Sequence, residues 1–250
     1  MSIIKWIGGK DRIAKKIVAL FPKHKTYCEP FFGSGAVFFA KKPSKIEVIN
    51  DIDGRIVNLF TVIRDKKDEF LEYSKYELYS RENYYKYVET LDKGSDVERA
   101  VKFFWVINQT IKGDLLAKSW LTGPNKNYAK EVQNKLGKID LIHKRLKNTI
   151  IDNRDFEKII KLYDSPETLF FLDPPYIKNN LYYKTGFDLR DHLRLRNCLK
   201  EIKGKFIMTI DDTPFIREKY SDFNIINNPI RRQSNQQKVN DLIITNFRRL

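Results

Sequence analysis

The sequence predicts an α/β fold in which a doubly wound sheet is interrupted by a helical insert. Strand-like and helical segments alternate in both the opening and the closing parts of the chain, the order that builds a parallel sheet. Thr168–Leu172 is apolar without alternation, as expected of a strand buried on both faces. From Asp65 to Lys147 the strand pattern stops and helical spacing replaces it.

Composition narrows the function. At 250 residues the chain has length for one or two domains with a sizeable core. Lys and Arg total 47 against 32 Asp and Glu, a net charge of +15. Such an excess favours a polyanionic partner, nucleic acid above all, although a solvated basic surface also produces it. No apolar run is long enough for a bilayer and no signal h-region opens the chain, so no membrane association is expected. Cys28 and Cys198 make no metal or disulfide pattern, which fits a reducing, cytoplasmic setting. His24, His143 and His192 are scattered. With no zinc spacing and no Ser/His/Asp or Cys/His set, neither a metal nor a covalent nucleophile is expected.

The chain opens Ile3-Ile4-Lys5-Trp6-Ile7-Gly8-Gly9-Lys10. Paired glycines allow close backbone approach, and Trp6 and Lys10 flank them with a flat aromatic and a cation. A helix is expected over Asp11–Leu20, with Ile13, Ile17 and Leu20 on one face. Thr26 to Gly35, running Thr-Tyr-Cys-Glu-Pro-Phe-Phe-Gly-Ser-Gly, then Ala36–Ala40, reads as strand, acidic end, glycine turn and helix. The glycines suit a ligand passing over bare backbone, without the full dinucleotide fingerprint and without a Walker lysine. A second strand, Lys45–Asn50, ends in Asp51. An acid there commonly accepts from ribose hydroxyls; equally, Asp51 or Asp53 could cap the next helix, Ile56–Ile63.

Inside the insert, Tyr73, Tyr76, Tyr79, Tyr84, Tyr85 and Tyr87 lie among charged residues, a pattern of helix packing more than of base stacking. Ser95 and Glu98 have capping-box spacing for a helix with Val97, Ala100, Val101, Phe104 and Ile107 inward. Another amphipathic helix is expected from about Lys130 to Leu146. Between them, Asn108 to Tyr128 is polar, basic and punctuated by glycine. Asn108, Lys112 and Lys126 are its candidates for DNA contact, because amides read base edges and ammonium groups hold phosphates; plain loop surface is the alternative.

The sheet resumes at Thr149–Asp152. Asp155 could accept from an exocyclic adenine amine with Phe156 packing nearby, or cap the helix Phe156–Leu162. Thr168–Leu172 then stops on Asp173-Pro174-Pro175-Tyr176. Proline lacks an N–H and fixes φ, so no further ladder bonds follow. A carboxylate, a rigid backbone and an aromatic are presented together at the carboxyl end of a strand, where open α/β sheets bind ligands. Ile177–Gly186, with Tyr182, Tyr183 and Lys184, reads as a mobile loop over that site. Helix Leu189–Ile202, strand Phe206–Ile210 and extended runs Phe223–Ile226 and Leu242–Phe247 complete the chain. Between those runs lies a basic hairpin tip or loop in which Arg231, Arg232 and Lys238 are candidates for phosphate contact.

Taken together, the chain resembles the DNA adenine-N6 methyltransferases of the Dam-like (D12, alpha) class. The resemblance rests on Lys5 to Lys10, Glu29 to Gly35, Asp51, Asp155-Phe156, Asp173-Pro174-Pro175-Tyr176 and the closing Arg232–Phe247 block, in that family's order over nearly the whole chain. It implies a Rossmann-like S-adenosylmethionine-dependent methyltransferase sheet formed by residues 1–60 and 148–250. Residues 61–147 would then be an inserted helical target-recognition domain. It further implies S-adenosylmethionine as methyl donor and adenine in double-stranded DNA as acceptor. By the same resemblance Trp6, Gly9 and Lys10 belong to the donor site, and Lys10 also to the DNA surface. Glu29, Pro30, Phe31, Gly33, Ser34 and Gly35 surround the donor's methionine part, Asp51 its ribose, and Asp155 with Phe156 its adenine. Tyr176 stacks on the target base, while Asp173, which also borders the donor, and the Pro174 carbonyl accept from its amino group. Members that read GATC carry an arginine and a Phe-Asn-Val-Pro segment in the insert, and Lys112 to Pro124 has neither, so the resemblance does not extend to GATC reading.

The chemistry asks for those residue types. The adenine amine is a poor nucleophile because its lone pair is delocalised into the ring. Two fixed acceptors on its hydrogens favour a pyramidal nitrogen and stabilise the positive charge that grows there. A stacked duplex denies this geometry, so the base must flip out, and an aromatic beside the acid offers it a face. A cytoplasmic, bacterial or phage-encoded enzyme is expected, as monomer or weak dimer, with a cognate restriction endonuclease as a possible partner. A non-catalytic DNA-binding module on the same scaffold and an RNA adenine methyltransferase are the alternatives.

Overall fold

The computed structural model describes residues 2–115, 118–177, 186–231 and 238–248. The loop expected at Tyr182, Tyr183 and Lys184 therefore lies outside the described residues. The chain divides into two compact units, one of Met1–Val18, Gly33–Lys42 and Asp53–Ile151, the other of Ala19–Phe32, Pro43–Ile52 and Asp152–Leu250.

The first unit is helical: α1 (Ala14–Val18), α2 (Gly54–Asp65), α3 (Lys67–Ser74), α4 (Arg81–Glu89), α5 (Asp96–Gln109), α6 (Tyr128–Leu136) and α7 (Ile139–Leu146). Helix α5 is its centre. The expected capping box is present, with Ser95 Oγ accepting from Glu98 N at 3.2 Å and Glu98 Oε2 from Ser95 N at 2.8 Å. Val97, Ala100, Val101, Phe104 and Ile107 are all buried, and α2, α3 and α4 pack on this helix. Of the tyrosine cluster, Tyr84 is buried, whereas Tyr73, Tyr76 and Tyr85 are exposed.

Three helical expectations are corrected. Asp11–Leu20 contains only the short α1. Ala36–Ala40 makes successive turns, with Phe39 N on Gly35 O, because so few residues before Pro43 cannot repay helix nucleation. The span Lys130–Leu146 is two helices, α6 and α7, parted at Gly137 and Lys138, where glycine weakens helix propagation.

The second unit carries β1 (Thr26–Glu29), β2 (Ile46–Asn50), β3 (Ile150–Asp152, whose last residue belongs here), α8 (Phe156–Tyr163), β4 (Thr168–Leu172), α9 (Leu189–Glu201), β5 (Lys205–Asp211), α10 (Pro214–Lys219), β6 (Asn224–Arg231) and β7 (Lys238–Thr245). Helix α10 escaped the periodicity because it is only 6 residues long; its start is nonetheless written locally, in the Thr213 cap and Pro214. The sheet has seven strands in the order β3-β2-β1-β4-β5-β7-β6. β1 pairs parallel with β2 and β4, and β4 with β5; β7 lies antiparallel between β5 and β6. Chain order reverses between β1 and β4, the switch point at which such sheets bind ligands. β4 is buried at every residue, as its unbroken apolar run requires. Phe170, Leu172, Phe206, Met208, Leu242 and Ile244 form one core with Ile159 and Ile160 of α8 and Leu195 and Leu199 of α9. Among the described residues no helix is long and apolar enough to cross a membrane.

Ser95→Ala removes the acceptor of the α5 cap. It should lower the unfolding free energy by about 1 kcal/mol in a urea titration, with little change in the slope.

Candidate active site

Parallel register brings several strand ends to one edge of the sheet unit. Glu29 pairs with Ile49 and Cys28 with Phe170, so the residues after β1, β2 and β4 leave the sheet on the same side. Glu29 is buried and accepts from the Tyr27 hydroxyl at 2.7 Å. Asn50, 1% exposed, links the neighbouring loops: Nδ2 donates to Pro30 O and to Arg154 O, both at 2.9 Å, and Oδ1 accepts from Arg154 N at 2.8 Å. Asn153 Nδ2 adds a bond to Asp51 O at 2.7 Å. Asn50 was missed in the sequence; an amide as the last residue of an apolar strand was the available signal, since such a group must find partners once buried.

Asp155 fills the capping role that was open to it. Its Oδ1 accepts from Glu157 N at 3.0 Å at the start of α8 and from Arg194 Nη2 at 3.0 Å. The Arg194 guanidinium stands 4.9 Å over the Phe156 ring. Phe156 in turn lies 5.5 Å from Phe31 and 5.7 Å from Phe187, so an aromatic cluster borders this carboxylate.

The acceptor motif is half-buried at Asp173 and Pro175 and buried at Pro174 and Tyr176. Leu172 pairs with Met208, which sets the next residue of β4's chain beside the next residue of β5. Accordingly Thr209 Oγ1 donates to Asp173 Oδ1 at 2.7 Å. The Tyr176 hydroxyl donates to Asp241 Oδ2 at 2.7 Å, and Ile177 N to Asp211 Oδ1 at 3.1 Å. Burial, then the charges of Asp173 and Asp241, push the Tyr176 phenol well above its ordinary pKa, so it is a hydrogen-bond donor at any working pH.

In the helical unit, the two glycine segments close on Trp6. Gly33 has φ +50°, and a Cβ there would stand 2.8 Å from Trp6 Cδ1; one at Gly9 would stand 3.1 Å from Trp6 O. Ser34 and Gly35 are buried beside them in sequence; Lys10, expected also at the DNA surface, is instead buried and donates from Nζ to Gly8 O at 2.8 Å. The cap of α2 is Asp53, accepting from Arg55 N at 3.0 Å, which settles the choice between Asp51 and Asp53.

Asn108 is corrected. Instead of facing DNA it is fully buried, donating from Nδ2 to Ile3 O at 3.0 Å and Phe104 O at 2.9 Å. Its Oδ1 accepts from Lys5 N at 3.2 Å and from Lys135 Nζ at 2.7 Å. It closes helix α5 onto the N-terminal strap, a role that residue type alone does not reveal. Lys135 was not singled out in the sequence; burial, then the charge of Lys5, draws its pKa down to about 8. With Lys5, Trp6, Gly9 and Asp11 it lines a cavity of about 380 Å³. Lys126 is exposed and paired with Glu131. Arg231 and Lys238 face one another across the β6–β7 pairing, as a hairpin requires. Arg232 and the side chains of Lys112, Arg231 and Lys238 lie outside the described residues.

Asn50→Leu leaves the Arg154 N–H and two carbonyls without these partners. It should cost about 2–4 kcal/mol of stability in chemical denaturation.

The D12 class N6 adenine-specific DNA methyltransferase family matches residues 6–233. A type II methyltransferase of Lactococcus lactis subsp. cremoris is 31% identical over 271 aligned positions, covering 97% of this chain and 94% of its own. A type II methyltransferase of Paramecium bursaria Chlorella virus NC1A is 29% identical, covering 88% of this chain and 86% of its own. Among solved structures, an S-adenosylmethionine-dependent O-methyltransferase of Thermotoga maritima covers 96% of this chain and 66% of its own at 10% identity and a TM-score of 0.39, too faint a likeness to decide the chemistry. Family match and relatives both span most of the sequence, the Asp-Pro-Pro-Tyr loop at the switch-point edge included. The chain thus belongs to the D12 class N6 adenine-specific DNA methyltransferases, and its reaction is the S-adenosylmethionine-dependent methylation of adenine in DNA.

Proposed function

We propose that Asp173, Pro174, Pro175 and Tyr176 are the acceptor site of this reaction and that the target adenine is flipped out of duplex DNA to reach them. The observation that supports this most is Asp173 itself, half-buried at the carboxyl end of β4 beside the switch point, with one carboxylate oxygen held by Thr209. Asp173 and the Pro174 carbonyl then accept from the two amino hydrogens of the adenine. The paired prolines restrict the backbone that carries both acceptors, and Thr209 holds the carboxylate, so the bound amine is oriented rather than merely captured. As attack proceeds, charge builds on nitrogen, and a fixed carboxylate in a partly dry site stabilises it. Tyr176 gives the flipped base a stacking face.

The residues present fit a nucleoside-bearing donor. Asp51 and Asp155 follow strand ends at the sheet edge, with Phe31 and Phe156 as flat neighbours. In this reading Asp51 accepts from ribose hydroxyls and Phe156 packs on the adenine of the donor. Glu29, Pro30 and Phe31 surround its methionine part. S-adenosylmethionine supplies a methyl group already activated on a sulfonium, so this chain need only position and desolvate. Residues 61–147, with exposed Lys126, are the proposed reader of DNA, and the basic β6–β7 hairpin a phosphate contact. The type II methyltransferases among its relatives support a restriction–modification setting with a cognate endonuclease.

Asp173→Ala should reduce methyl incorporation from labelled donor about 100-fold or more while DNA affinity stays within a few-fold. Near-normal turnover would remove Asp173 from the chemistry. Affinity for duplex DNA should fall steeply and log-linearly with salt, on the order of tenfold or more between 50 and 200 mM; a flat titration would exclude phosphate contacts as the main anchor.

A further inference from the structure

Beneath the acceptor loop lie two acids to which the reading above assigns no part. Strands β5 and β7 set Asp211 directly opposite Asp241. Both are buried, at 1% and 6% exposure. Like charges facing one another on adjacent strands, away from water, are unfavourable unless each finds donors. Each does so in the loop. Asp211 accepts the backbone N–H of Ile177 at 3.1 Å, and Asp241 accepts the Tyr176 hydroxyl at 2.7 Å. Two consecutive loop residues are thus held by a facing pair of carboxylates, one through the main chain and one through the far end of a ring.

The geometry of a tyrosine makes the second bond specific. The hydroxyl lies on the axis about which the ring turns, so an acceptor there fixes where that axis points, while the packed neighbours set the ring plane. With Tyr176 only 7% exposed, its ring has little room to adopt another tilt. The ring's position relative to Asp173 is then set from two sides, since Thr209 of β5 holds the Asp173 carboxylate at 2.7 Å. All of these anchors sit on β5 and β7, so loop and strands form one frame.

We propose that Asp241 is a positioning residue for methyl transfer: by accepting the Tyr176 hydroxyl it fixes the tilt of the ring against which the target adenine stacks, and so the distance of its amine from Asp173. This rests on the acceptor-site reading of Asp173 and Tyr176. Misplacement by about an ångström costs on the order of 100-fold in a positioned reaction. The role is one of orientation, so it belongs to kcat and not to DNA capture.

Steady-state methylation of duplex DNA by the full chain tests it, with melting curves beside each variant. Asp241→Ala should lower kcat about 10- to 100-fold with KM for DNA changed less than about threefold. Asp241→Asn, which keeps an acceptor for the phenol, should recover most of that loss. Tyr176→Phe, which keeps the ring and drops the hydroxyl, should show a loss like that of Asp241→Ala, and the double variant Tyr176→Phe/Asp241→Ala should be no worse than either alone. Wild-type turnover in Asp241→Ala, or losses that multiply in the double variant, would overturn the inference. If Asp241→Ala does not fold, Tyr176→Phe decides: a kcat loss at unchanged KM supports the tether, and full activity overturns it. Asp173→Ala separates the two readings. If it is inactive while the tether variants are normal, only the positioning role fails; if it is active, the acceptor site fails and the positioning role with it.

Discussion

Parallel pairing of β1 with β2 and β4 is the constraint on which the site depends. A strand alone can end in an acid anywhere on a surface. Only pairing in the same direction makes Glu29, Asp51 and Asp173 leave the sheet at one edge. Reversal of chain order between β1 and β4 then parts the loops that follow them and leaves room for a ligand between. In the proposed reading, adenine and nucleoside donor meet in this crevice.

Rigidity at that edge comes from few bonds. Pro174 and Pro175 take freedom out of the loop's own backbone, Thr209 holds the acid before them, and Asp211 and Asp241 hold the residues after them. Asn50, at the end of β2, does the equivalent for the loops that follow β1 and β3. Each of these groups is polar and largely withdrawn from water, so losing a partner costs more than the bond contributes when made. Such an arrangement suits a reaction whose activated methyl is brought by the donor, because what remains for the protein is orientation and electrostatics.

The helical unit has a different economy. Its centre, α5, is held by apolar packing and a capping box, and its polar residues divide sharply between the inside and the surface. Asn108 and Gln109 are fully buried although their neighbourhood in the sequence is polar and basic. Tyr73, Tyr76 and Tyr85 are exposed although tyrosines at helical spacing usually pack. A polar composition therefore marks the region that meets DNA in this reading without marking which side chains do so.

Features with local signals were legible in the sequence. The α5 capping box lies within Ser95–Glu98, the β4 strand is one unbroken apolar run, and the stop at Asp173 is written in two prolines. The ordered motifs, read together, were enough for the family and the reaction. Tertiary structure decided what depends on partners far along the chain. Asp155 shares its cap oxygen with Arg194, and Asn108 turns inward to Ile3 and Lys135. Asp241 reaches Tyr176 across 65 residues of sequence. No local pattern encodes such a bond, because a buried polar group takes whichever partner the fold brings within reach.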